Sequence, residues 1–153
     1  MIYDVDTERI EIQLDYLEQC IRVMQETLED LTQKPGLVSF FAASRAVHIA
    51  VECVIDVGSV MIDGFIMRDP GGYLDIIDIL EDEQVVPSDG TGRLKEWVRL
   101  RDRLVRRYHE VDHEELASHL KDIGVFTAYT DWVRDYLTRE LGPAYPKRKE
   151  GSR

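Results

Sequence analysis

The chain has 153 residues, of which 44% are hydrophobic and 32% charged, with a formal net charge of −11. This is the balance of one globular domain able to bury a core, not of a disordered segment, and so acidic a chain offers polyanions no general binding surface. Met1-Ile2-Tyr3-Asp4 has neither a basic n-region nor an apolar h-region, and Cys20 and Cys53 sit among apolar neighbours as free thiols, so a cytosolic, reducing location is expected.

Pro and Gly break the chain at Pro35-Gly36, at Pro70-Gly71-Gly72 and between Pro87 and Gly92, leaving long uninterrupted segments of helical character. In the first segment, Ile10, Leu14, Leu17, Ile21, Met24, Leu28 and Leu31 alternate four- and three-residue steps, the seam of a helical bundle. Asp6 is placed to cap this helix, and Lys34-Pro35-Gly36 stops it. The second segment, 38–68, is apolar around most of its circumference, with one polar stripe of Arg45, His48, Glu52, Asp56, Ser59 and Asp63. Within its most apolar stretch, 46–67, His48, Glu52, Asp56 and Asp63 are too many ionisable groups for a bilayer-spanning helix, so no membrane association is expected. So wide an apolar face predicts a homodimer.

A short helix is predicted over 73–84, a fourth from near Gly92, and a fifth from Asp112, where Asp112 and Glu115 have the spacing of a capping box. Leu116, Leu120, Ile123, Tyr129, Val133, Tyr136 and Leu137 give the fifth its buried face, with Gly124 a weak point. The expected architecture is all-α: an antiparallel bundle of four to five helices over 1–142 and a flexible tail over 143–153.

The fourth helix concentrates positive charge. Arg93, Lys95, Arg99, Arg101, Arg103, Arg106 and Arg107 stand against only Glu96 and Asp102, so this segment carries about +5 within a strongly acidic chain. Taken alone, the cluster reads as a solvated face. Leu94, Trp97, Val98, Leu104, Val105 and Tyr108 form an apolar stripe, and Arg101 lies within about 20° of both Leu94 and Tyr108 on the helical wheel. A guanidinium so placed stays charged and needs acceptors. Two are open to it: an ion pair with Glu52 or Asp56, or a phosphate bound in a polar cleft at a subunit interface.

The run Arg101-Asp102-Arg103-Leu104-Val105-Arg106-Arg107-Tyr108, followed by Val111-Asp112, resembles the Arg-Asn-x-Leu-Val-His-x-Tyr signature of the HepT family, a branch of the HEPN superfamily. Glu52, Ile55, Asp56 and Gly58 of the second segment and the Pro70, Tyr73, Leu80, Pro87 pattern extend the resemblance through most of the chain. It implies a dimeric helical bundle with an RNA substrate: a metal-independent RNase toxin of an MNT/HEPN toxin–antitoxin pair. Its partner would be an MntA-type nucleotidyltransferase antitoxin that transfers AMP to the signature tyrosine. Arg101 would then hold the scissile phosphate, Tyr108 would carry AMP, and Arg99, Arg103 and Arg107 would extend the RNA-binding face. No resident cofactor is implied, and the Asp89-Gly90-Thr91-Gly92 loop lacks the lysine and preceding strand of a P-loop.

The signature histidine is replaced by Arg106. Metal-free RNA cleavage needs a group of near-neutral pKa to take the 2'-hydroxyl proton, and arginine cannot do so. On a continuous helix His109 would lie one turn beyond Arg106 and about 60° around it, and Arg103-x5-His109 fits the looser HEPN spacing. Arg101, Arg106 and His109 are therefore the catalytic candidates. The alternative is a catalytically degenerate dimer that binds RNA or a partner protein. His109-Glu110-Val111-Asp112-His113 also matches a zinc-protease pattern, but a helix capped at Asp112 would separate the two histidines, so no metal site is expected.

Overall fold

The computed structural model describes residues 3–142 and Tyr145. Six α-helices account for it, with no strand among the described residues: α1 Thr7–Gln33, α2 Leu37–Gly64, α3 Tyr73–Asp82, α4 Ser88–Arg106, α5 His113–Leu120 and α6 Gly124–Leu141. The Asp6 carboxylate caps α1 by accepting from the Arg9 backbone N–H at 3.0 Å. The predicted seam is its buried face, apart from a half-buried Leu28.

The three-residue break at Lys34-Pro35-Gly36 folds α2 back along α1. Ser39 donates to Asp30 beside the turn, and at the far end Gly64 packs against Val5 so closely that a Cβ would meet the Val5 backbone at 2.9 Å. The pair is thus an antiparallel hairpin. By length and composition α2 could cross a membrane, but 13 of its 28 residues are buried against other helices of the chain, which makes it the core helix. Its Gly58 admits Ile76 and Leu80 of α3. Arg68, bound to Asp75 at 3.0 Å and Asp82 at 3.4 Å, fastens the connecting loop onto α3.

Three boundaries differ from the sequence reading. α4 begins at Ser88, not near Gly92, because Pro87 takes the N-cap position and Gly90 sits beneath the Trp132 indole of α6, where a Cβ would lie 2.4 Å from the ring. The expected fifth helix is two helices. A tight turn over residues 121–123 divides them just before Gly124, and Asp122 in that turn binds the Arg93 guanidinium. The count is therefore six, not four to five. At Asp112 the capping box is half made: the carboxylate accepts from the Glu115 backbone N–H at 2.9 Å, while the Glu115 side chain is held by Arg103.

The third change matters most for the site. α4 stops at Arg106, and Tyr108–Glu110 form a single 3-10 turn. Leu94, Trp97 and Val98 are buried as expected, and Leu100 joins them, but Val105 and Tyr108 point outward. Trp97 fills the centre against Phe126, ring centroids 4.8 Å apart. Of the predicted tail, Tyr145 packs on the core and bonds Glu11 through its hydroxyl; the rest lies outside the described residues.

Candidate active site

A groove of about 790 Å³ lies between the start of α3 and the outer face of α4. Gly71, Gly72, Tyr73 and Asp75 form one wall, and Arg99, Arg101, Asp102, Arg103 and Arg106 the other. The Pro-Gly-Gly turn makes the groove possible, since two residues without side chains bring the chain to the start of α3 without filling the space above α4.

Arg101 is at its inner edge, with 18% of its side chain exposed. Its Nε donates to Glu52 Oε1 of α2 at 2.7 Å, and its guanidinium lies over the Tyr73 ring, 4.8 Å from the centroid. Both readings of this arginine thus have a basis: it is paired with Glu52, one of the two carboxylates expected, and it also lines a cleft. Its pairing uses Nε, and its terminal nitrogens donate to no acceptor among the described residues. The Tyr73 hydroxyl donates to the other Glu52 oxygen at 2.9 Å. Burial and the Glu52 carboxylate both push the Tyr73 hydroxyl above its ordinary pKa, keeping it a donor.

His48 completes this cluster. Its Nε2 is 3.8 Å from Glu52 Oε1, one helical turn on, and its Nδ1 lies 3.4 Å from Arg45 Nη1. Burial lowers its pKa, outweighing the neighbouring carboxylate, and the charges of Arg101 and Arg45 lower it further. The sequence reading left His48 and Tyr73 without functional roles. The signal available for His48 was its four-residue spacing from Glu52 on the polar stripe of α2.

The basic cluster is less bare than its sequence suggests. Arg93 is held by Asp122 (2.6 Å), Lys95 by Asp78 (2.5 Å), Arg99 by Glu96 (2.9 Å), Arg101 by Glu52, Arg103 by Glu115 and Arg106 by Asp102 (2.7 Å). Six of the seven cations are thereby matched, four of them by acids outside α4. Arg107 has no ion pair among the described residues. Arg99, Arg103 and Arg106 line the groove; Arg107, Tyr108 and His109 do not.

His109 does not lie where a continuous fourth helix would carry it. Its reach depended on helical geometry continuing past Arg106, and the chain leaves that path at Arg107, whose ψ of 44° ends the helix. His109 is exposed and packs edge-on against Tyr108 at 5.8 Å. Because His113 opens the next helix, the two histidines of the zinc-like pattern do not share a helical turn. Among the described residues no group of three or more His, Cys, Asp or Glu side chains is placed to hold a metal ion.

The chain is an all-α bundle with an arginine-lined groove beside a carboxylate shared by α2, α3 and α4. The chain belongs to the HepT-like ribonuclease family, whose model matches residues 13–130. YutE of Bacillus subtilis (strain 168), provisionally named an RNase, is 39% identical over 145 residues, covering 93% of this chain and 96% of YutE. The YutE structure, described as that of a cytosolic protein of unknown function, matches with a TM-score of 0.77 at 36% identity, over 92% of this chain and 96% of that one. The same fold occurs in the tri-AMPylated HEPN toxin of Shewanella oneidensis, solved in complex with its MNT antitoxin: TM-score 0.77, 18% identity, 86% of this chain and 99% of the toxin.

Proposed function

We propose that the protein is a metal-independent RNase toxin, or a subunit derived from one, acting in the cytoplasm and controlled by an MNT-type nucleotidyltransferase. The carrying observation is Arg101 on the wall of a groove flanked by three further arginines, with its terminal nitrogens available to a phosphate. Incubation with single-stranded and structured RNA in the presence of a chelator is expected to give cleavage; intact RNA at every enzyme concentration would overturn the RNase reading.

Tyr108 supports control by AMPylation. It is 67% exposed on a 3-10 turn outside the groove, open to a partner's active site. Incubation with a nucleotidyltransferase of this kind and ATP is expected to add AMP to the wild-type chain and none to Tyr108→Phe. Equal labelling of both would remove Tyr108 as the acceptor.

A homodimer is the proposed assembly. Ile12, Tyr16 and Val23 of α1 and Leu37, Val38 and Phe41 of α2 leave apolar surface on the α1–α2 hairpin, which a second copy would cover. Sedimentation at micromolar concentration is the direct check.

The second reading, a non-catalytic dimer that binds RNA or a partner protein through Arg99, Arg103 and Arg107, is favoured by one observation. Arg106 takes the place of the signature histidine with 71% of its side chain exposed and tied to Asp102, and a guanidinium, always protonated, cannot accept a proton. Retention of RNA without cleavage would select this reading.

A further inference from the structure

We propose that His48 is the general base of the reaction, taking the 2'-hydroxyl proton of the RNA at Nδ1, the step for which position 106 holds no suitable group. This rests on the RNase reading above and supplies its missing acceptor.

The geometry gathers an imidazole, a carboxylate and a guanidinium in one cluster. Glu52 Oε1 is shared: Arg101 Nε lies 2.7 Å from it and His48 Nε2 3.8 Å. The other Glu52 oxygen is held by the Tyr73 hydroxyl, which fixes the rotation of the carboxylate. One oxygen atom therefore separates the imidazole from the guanidinium that would hold the phosphate, and a nucleotide's 2'-hydroxyl is adjacent to its own 3'-phosphate. On the opposite edge of the ring, Arg45 Nη1 approaches Nδ1 at 3.4 Å. A guanidinium only donates, so Nδ1 must be the acceptor and the ring hydrogen belongs on Nε2, facing Glu52. In that tautomer the Nδ1 lone pair is the one a base uses, and the Nε2 hydrogen faces the charge of Glu52 at 3.8 Å. Arg45 is exposed and its contact is long, so a substrate hydroxyl can take its place. The His48 side chain is 28% exposed.

The surroundings keep the ring neutral. Arg45 and Glu52 face it from α2 and Arg101 from α4; Tyr73 of α3 acts on it through Glu52, and Cys20 of α1 lies within the field of Arg45. Burial and the two arginines outweigh Glu52, holding the imidazole below its ordinary pKa and therefore unprotonated at neutral pH. In the step itself, the 2'-hydroxyl proton passes to His48 Nδ1 and the 2'-oxygen bonds to phosphorus. The bond from phosphorus to the 5'-oxygen breaks, and that oxygen takes a proton from water. The imidazolium returns its proton to solvent, leaving a 2',3'-cyclic phosphate on one fragment and a 5'-hydroxyl on the other.

The test compares wild type, His48→Ala and His48→Asn on a single-stranded RNA oligonucleotide with chelator present, from acidic to alkaline pH. His48→Ala is expected to cleave about 10²- to 10⁴-fold more slowly, with RNA retention on a filter unchanged and partial recovery on adding free imidazole. For wild type, kcat/KM is expected to rise with pH through a midpoint below the ordinary imidazole value, and that limb is expected to vanish in the variant. His48→Asn, judged folded by circular dichroism, replaces the alanine variant if the latter does not fold. A folded variant with wild-type rate and pH limb would overturn the proposal, as would equal losses of binding and cleavage without imidazole rescue. If wild type itself leaves RNA intact, the RNase reading fails and this proposal with it.

Discussion

Arg101→Ala is expected to lower RNA cleavage by about a hundred- to a thousandfold, the usual cost of removing one positioned donor to developing negative charge. The loss should fall on kcat, because the neighbouring arginines of the groove remain to hold the rest of the RNA. Arg101→Lys keeps the charge but cannot bond Glu52 and a phosphate together through one planar fork, so it should recover only part of the rate. The competing account makes Arg101 a structural partner of Glu52 alone. Under that account the alanine variant would be destabilised by about 1–3 kcal/mol for its lost charged hydrogen bond, yet the folded fraction would cleave normally. Urea denaturation alongside the cleavage assay separates the two.

Trp97→Ala is expected to be the most destabilising single change in the described bundle, at about 3–5 kcal/mol. The indole is 2% exposed and touches the rings of both Phe126 and His119, so truncation leaves a cavity where α4 meets α5 and α6. A domain of this kind has only about 5–15 kcal/mol of total stability, so the urea midpoint should fall by a large part of its value. A shift under about 1 kcal/mol would show that the surrounding helices close the gap at little cost.

Much of the scaffold was legible because its signals are local. The four- and three-residue steps from Ile10 to Leu31 define the buried face of α1, and Asp6 and Asp112 cap as their spacing indicates. The Arg101–Glu52 pair was also legible, although its members are 49 residues apart, because a guanidinium on an apolar stripe has few places to go. The partners of the other cations were not. Asp78, Asp122 and Glu115 reach Lys95, Arg93 and Arg103 only after α3, α5 and the 121–123 turn have docked. The end of α4 misled for a different reason: Arg106, Arg107, Tyr108 and His109 include no proline or glycine to mark a stop, and the helix breaks where Arg107 leaves helical geometry. His109 was placed by extrapolating that helix, whereas His48 required knowing that α2 and α4 share the Glu52 carboxylate.

The carboxylates that match six of the seven cations have a consequence for how nucleic acid would be greeted in solution. A bare arginine meeting a phosphate frees a condensed cation from the polymer, and that release makes affinity fall steeply with ionic strength. Here each phosphate arriving at a matched guanidinium would evict an aspartate or glutamate, which would then gather a cation of its own and offset the one set loose. Association would thus be shallower in its response to salt than the charge of the helix suggests, leaving discrimination to ligands whose shape fits the groove rather than to any polyanion that drifts past.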